Sequence, residues 1–131
     1  AALAIIDVME REDLNQRVLD LEGEFHDRLE ELLDLPIVAD VRGMGYFWAI
    51  EMARQGEPFA PAEKEWLIRT FLSRRLPESG LLCRVDDRGD PVIQLSPPLI
   101  CGPAEFDEMT TAIRRCLEEA WEELSAGAKM R

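Results

Sequence analysis

The sequence predicts an α+β domain in which a small antiparallel sheet of two hairpins carries helices on one face. Apolar residues recur at spacings of three and four in three separate stretches, as the buried stripe of a helix requires. Between those stretches lie two pairs of short apolar runs, each pair joined by a glycine-containing turn, which is the pattern of a hairpin. The resulting order of helix, hairpin, helix, hairpin, helix favours a layer of antiparallel strands covered by helices.

Leu14, Val18, Leu21, Phe25, Leu29 and Leu32 predict an amphipathic helix over about residues 12–34, closed by Pro36. Residues 37–42 and 46–52 read as two strands paired across Gly43-Met-Gly45. Gln55-Gly-Glu-Pro58 breaks the chain. A second helix is expected from Pro61 to Leu76, with Trp66, Leu67, Thr70 and Phe71 turned inward and Pro77 ending it. Residues 81–84 and 92–95 form a second strand pair, joined by an Asp- and Gly-rich turn. Gly102 as N-cap, Pro103 at the first helical position and Glu105 two residues later open the last helix. Its inward residues are Phe106, Met109, Ile113, Cys116, Leu117, Ala120, Trp121 and Leu124, and a tail is expected over 125–131.

At 131 residues the chain fits one domain with a core that needs neither disulfides nor metal. A formal charge of −12 opposes contact with phosphate backbones or anionic lipid, so nucleic-acid and membrane partners are not expected. The three cysteines, Cys83, Cys101 and Cys116, are widely spaced and odd in number, which suits free thiols in a reducing compartment and points to the cytoplasm. The opening Ala1-Ala-Leu-Ala-Ile-Ile6 is too short for a membrane span and lacks the basic start of a signal peptide. It reads instead as the end of a helix that leads in from an upstream domain.

Two segments, Val38-Ala-Asp-Val-Arg-Gly-Met-Gly-Tyr-Phe-Trp-Ala-Ile-Glu51 and Gly80-Leu-Leu-Cys-Arg-Val-Asp-Asp-Arg-Gly-Asp-Pro-Val-Ile-Gln-Leu-Ser-Pro-Pro-Leu-Ile100, carry a resemblance to a known family. They resemble the C-terminal small domain of class III aminotransferases, pyridoxal-phosphate enzymes of fold type I that include the omega-transaminases. The resemblance spans the chain from about Ala1 to Leu124, with residues 1–12 as the end of the interdomain helix. It implies an enzyme that moves an amino group between an amine or amino acid and a keto acid, working as a homodimer made chiefly by an upstream large domain.

The resemblance also implies what this chain does not supply. Pyridoxal phosphate is held as a Schiff base by a lysine of the large domain. The two lysines here, Lys64 in a helical run and Lys129 near the end, do not match that setting. No catalytic or cofactor-binding residue is expected in this chain, and alone it should be inactive. The competing reading is a free-standing acidic α+β module that binds a small ligand or dimerises.

Arg84 is the residue to which the resemblance assigns a substrate role, as a clamp for the substrate carboxylate. A guanidinium offers paired donors in a plane that matches a carboxylate. The plainer alternative is a surface arginine paired with Asp86 or Asp87, worth under about 1 kcal/mol, and Arg88 offers a second guanidinium nearby. Arg88-Gly-Asp90 is read as turn chemistry rather than an adhesion signal, and Asp86, Asp87 and Asp90 lack the spacing of a calcium loop. Arg42 is read as structural. Ser96-Pro97-Pro98 makes a rigid corner, which the resemblance sets at the substrate entrance. His26 is expected to be solvated, with no metal site, and Cys83 to be a buried small hydrophobe rather than a reactive thiol.

Overall fold

The computed structural model describes residues 1–86 and 88–129, with side chains through Gly127. Helix α1 (Ala2–Arg11) meets α2 (Leu14–Glu30) at Asp13, whose φ of 51° is left-handed and breaks the helical path. The single helix expected over 12–34 therefore begins at Leu14 and ends in a tight 3-10 turn, Glu31–Asp34, ahead of Pro36. Strands β1 (Val38–Met44) and β2 (Phe47–Met52) follow. Next come α3 (Pro61–Glu65), a wide π turn (Trp66–Leu72) and α4 (Ser73–Glu78). Strands β3 (Arg84–Asp86) and β4 (Val92–Leu95) lead to the long α5 (Pro103–Lys129).

All four strands form one antiparallel sheet in the order β1-β2-β4-β3. Both expected hairpins are present and join through β2 and β4. Trp48, Ile50 and Met52 of β2, with Ile93 and Leu95 of β4, project from one face and are buried against the helices. Phe25 of α2 stacks on Phe106 of α5 at 4.4 Å, and the Tyr46 ring meets both edge-on, at 5.7 and 5.4 Å. Burying side chains of this size stabilises the fold by roughly 1.5–3 kcal/mol each. Arg54 clips the layers together. It pairs with Glu63 at 2.6 Å, donates to the Leu124 carbonyl at 3.3 Å and lies 5.7 Å from the Trp121 ring centre.

Several boundaries differ from expectation for identifiable reasons. The second helical run continues past Pro77 to Glu78. It ends there, where Gly80 (φ 86°) lets its own N–H reach the Pro77 carbonyl and that of Leu81 reach the Leu76 carbonyl, a Schellman closure. The π turn directs Leu67, Ile68, Phe71 and Leu72 inward and leaves Thr70 exposed. The first hairpin turns at Gly45-Tyr46, so Gly43 and Met44 belong to β1. Helix α5 runs through the stretch 125–129 where a tail was expected, while residues 130 and 131 lie outside the described residues.

Strand β3 begins at Arg84 instead of ending there. Extending its register with β4 backwards would set Leu82 opposite Ser96 and Leu81 opposite Pro97. Prolines 97 and 98 have no N–H to give a ladder, so pairing stops at Arg84–Gln94.

Candidate functional site

The end of pairing at Arg84–Gln94 opens a groove of about 790 Å³ between Ser79–Arg84 on one side and Gln94–Pro98 on the other, floored by α5. Met109 and Ala112 supply apolar floor, while Glu105, Glu108 and Arg115 supply charge. Arg84 and Gln94 stand side by side at the mouth.

The outer face of the sheet explains their placement. Cross-strand partners share a face in an antiparallel ladder. Arg42, Ala49, Gln94 and Arg84 are successive partners, so they make one row with an arginine at each end. Asp40, Glu51, Val92 and Asp86 make the next row. Each arginine leans onto the aspartate two residues away on its own strand. Arg42 Nη1 lies 2.9 Å from Asp40 and 2.5 Å from Glu51 of β2. The hydrogen bond to Asp40, then the one to Glu51, raises its pKa above the usual arginine value. This is the cross-strand structural role expected of Arg42.

Arg84 Nη2 lies 3.2 Å from Asp86 Oδ2, and its side chain is 58% exposed. The geometry thus brings together both roles considered for Arg84, a surface pair with Asp86 and a place at the groove. Asp87, the alternative partner, lies outside the described residues.

Asp86 is the hub of the β3–β4 turn. Its side chain is only 12% exposed and accepts from Arg88 Nη2 at 2.8 Å, Arg88 Nε at 3.2 Å and the Arg88 backbone N–H at 3.0 Å. Gln94 Nε2 stands 3.5 Å away. The side-chain hydrogen bond from Arg88, then its backbone N–H, holds the Asp86 carboxylate well below the usual range. Arg88 is therefore engaged by Asp86, and it is not among the residues that line the groove.

The Ser96-Pro97-Pro98 corner forms one wall. The Cys101 N–H donates to the Pro98 carbonyl at 3.0 Å, the Tyr46 hydroxyl to the Cys101 carbonyl at 2.8 Å, and Arg17 of α2 to the Ile100 carbonyl at 3.2 Å. Phe106 N–H bonds to the Gly102 carbonyl, and Glu105 reaches back to the Gly102 N–H, so α5 starts as its sequence predicts. Gln94, Tyr46 and the α5 floor were not singled out by sequence reasoning. Gln94 has no chemical signature until the register sets it beside Arg84.

Among the described side chains, the single lysine amine is that of Lys64, which donates to the Gly89 carbonyl and ties α3 to the β3–β4 turn. Gly89 and Lys64 are not part of the groove. The described residues therefore do not fit a pyridoxal-phosphate site. His26 is not simply solvated: it stacks on Trp48 at 4.9 Å and pairs with Glu30 at 3.1 Å. His26, Asp27 and Glu30 bring ligand-type atoms within 4.8 Å of one another on an exposed helix face. All three cysteines are free thiols. Cys83, expected to be a buried strand residue, is instead half-buried, lies just before β3 and lines the groove, and burial pushes its thiol up to about 11. No described helix is long and apolar enough to cross a membrane.

A family profile described as aminotransferase class-III matches residues 1–117. The chain is 44% identical over 120 residues to a probable aminotransferase of Mycobacterium tuberculosis, covering 89% of this chain and 26% of that protein. It is 35% identical over 119 residues to an ornithine aminotransferase of an Exiguobacterium species, covering 91% of this chain and 26% of that protein. The structure is similar to that of the PMP-bound aminotransferase of Vibrio fluvialis, with a TM-score of 0.81 at 28% identity over 93% of this chain and 26% of the other. It is also similar to a transaminase obtained by ancestral reconstruction, with a TM-score of 0.82 at 32% identity over 93% of this chain and 27% of the other. The chain thus spans about a quarter of the length of the proteins it matches.

Proposed function

The chain belongs to the class III aminotransferases, and from that membership we propose that it is the C-terminal small domain of a pyridoxal-phosphate enzyme moving an amino group between an amine or amino acid and a keto acid. Arg84 serves as the carboxylate clamp. The observation that carries this reading is the position of Arg84, exposed at the mouth of a groove where the β3–β4 pairing ends. A planar guanidinium there can take a carboxylate in a bidentate grip, while Gln94 adds an amide at its side.

The remaining three quarters of the protein would hold the cofactor and supply the Schiff-base lysine, since Lys64 is engaged by Gly89 away from the groove. The isolated chain is accordingly inactive. The exposed Leu3, Ile5 and Ile6 of α1 suit a helix that leads in from that larger domain. A homodimer and a cytoplasmic setting complete the reading, the latter supported by three free thiols.

The test is Arg84→Ala in the full-length holoenzyme. The KM for a keto acid should rise at least about tenfold, consistent with loss of a charge-assisted hydrogen bond of about 1.5–3 kcal/mol. The KM for an amine without a carboxylate should stay the same. Equal effects on both substrates, or none on either, would overturn the clamp.

A further inference from the structure

Arg17 lies outside the groove, behind the wall formed by Ser96, Pro97, Pro98 and Cys101. Its Nη2 donates to two successive carbonyls at the foot of that wall, Ile100 at 3.2 Å and Cys101 at 3.4 Å. The Tyr46 hydroxyl reaches the same Cys101 carbonyl at 2.8 Å. The Cys101 N–H in turn donates to the Pro98 carbonyl at 3.0 Å, so a grip on Ile100 and Cys101 is a grip on the proline wall. The guanidinium is carried by the first turn of α2, where the Arg17 N–H bonds to the Asp13 carbonyl at 3.0 Å. Phe25 of the same helix stacks on Phe106 of α5. The donor is thus mounted on a packed helix, while the residues it holds lie outside the sheet.

Gly102 is a second, independent observation. A Cβ added there would lie 2.9 Å from Arg17 Nη2, and the next atom, Glu105 Oε2, would be in ordinary contact at 3.8 Å. The backbone of Gly102 is not left-handed, so a methyl group meets one obstacle, the Arg17 guanidinium. The chain omits a side chain where Arg17 makes its approach.

Resting on the reading of the groove as the substrate site, we propose that Arg17 is a positioning residue that sets the bulk of amine the groove accepts. It does so by pinning the Ile100 and Cys101 carbonyls and, through them, the Pro97-Pro98 wall. Met109 and Ala112 give the groove its apolar floor, and a substituent that outgrows the floor meets the wall. A bulky amine enters by displacing the wall at the expense of the Arg17 hydrogen bonds, whereas a small amine leaves them intact. Discrimination against bulk is then bounded by the net contribution of those bonds, about fivefold for each. Arg17 itself touches no substrate.

Arg17→Met keeps an apolar stem and removes the donors, so kcat/KM for a bulky amine should rise about fivefold while that for a small amine holds. Gly102→Ala retains the arginine but pushes its guanidinium off the carbonyls, so it should shift the ratio in the same direction. The double variant should go no further than Arg17→Met, since the pin is already lost. Arg17→Lys keeps a cationic donor and should restore most of the original ratio. A merely structural role would instead lower both amines together, and two independent destabilising changes would add.

The measurements are steady-state kinetics of the full-length holoenzyme with a small amine, a bulky amine and a keto acid, and hydrogen exchange over residues 96–102, for these variants and Arg84→Ala. A higher bulky-to-small ratio, faster exchange over 96–102 and no further change in the double variant establish the pin. Unchanged exchange and ratio in Arg17→Met, or equal losses on both amines, overturn it, and the groove reading stands if Arg84→Ala still raises the keto-acid KM. Faster exchange with an unchanged ratio overturns the control of bulk. If Arg84→Ala has no carboxylate-selective effect, the groove reading itself fails and the proposal falls with it.

Discussion

The Tyr46 hydroxyl donates to the carbonyl oxygen of Cys101 at 2.8 Å, joining the β1–β2 turn to the loop that carries the Ser96-Pro97-Pro98 wall of the groove. Tyr46 is 5% exposed, and its ring packs edge-on to Phe25 and Phe106. Tyr46→Phe preserves the ring contacts and removes the hydrogen bond alone. The Cys101 carbonyl keeps a weaker donor, Arg17 Nη2 at 3.4 Å. Stability should fall by about 1 kcal/mol, read as a shift in denaturant midpoint with unchanged slope. A change below about 0.3 kcal/mol would show that this link contributes little to holding the wall.

Gly43 lies in β1 opposite Trp48. A Cβ added there would lie 2.2 Å from the Phe47 carbonyl oxygen and 2.7 Å from both Cα and Cδ2 of Trp48. Two of these three atoms are backbone, so a side-chain rotation does not relieve the clash. Trp48 is fixed as well, its indole N–H donating to the Gly45 carbonyl at 2.8 Å and its ring stacked on His26. Gly43→Ala should therefore cost about 2–3 kcal/mol through overpacking, measured by denaturant unfolding. Gly45→Ala should cost less, about 1 kcal/mol, because the obstacles there are a φ of 60° and a 3.3 Å approach to Val18. The reverse ranking would mean that the β1–β2 spacing yields more easily than the turn.

Those two glycines show how much of the fold was legible in the sequence. Gly-Met-Gly identifies a hairpin, but the sequence does not say that Gly45 is there for its backbone angle and Gly43 for a tertiary approach. Helix α5 was legible throughout its buried stripe because its N-terminal signals and periodicity agree. The boundary near residue 12 was legible to within two residues, but the left-handed backbone of Asp13 that makes it was not. The strand at 81–84 was misplaced because Leu81-Leu-Cys83 has strand composition, while the decision belongs to two prolines on the opposite chain. The groove follows from that same decision. Arg84 was legible by its resemblance to a family motif, whereas Gln94 and the unequal hold on Asp86 depend on a register that no local pattern encodes.

The thiols give a pH-dependent test. Burial, with a smaller contribution from Cys116, pushes Cys83 up to about 11, and burial also raises Cys101. Burial raises the Tyr46 phenol above 10 as well. In each case the folded state favours the neutral form, so these contributions are fully present below the unfolded values of about 8.5 for cysteine and 10 for tyrosine. They fade as pH rises through the higher folded values. Stability should thus be flat on their account up to about pH 8.5 and decline above it, followed by thermal unfolding from pH 8 to 11. Because the thiolate is the nucleophile, Cys83 should alkylate slowly at neutral pH in the folded chain and at the ordinary rate in denaturant. Mass spectrometry of tryptic peptides after a timed iodoacetamide pulse reads this directly. Rapid native labelling of Cys83 at pH 7.5 would show a thiol accessible and acidic enough to react, and would make the groove wall beside Arg84 a chemically reactive surface.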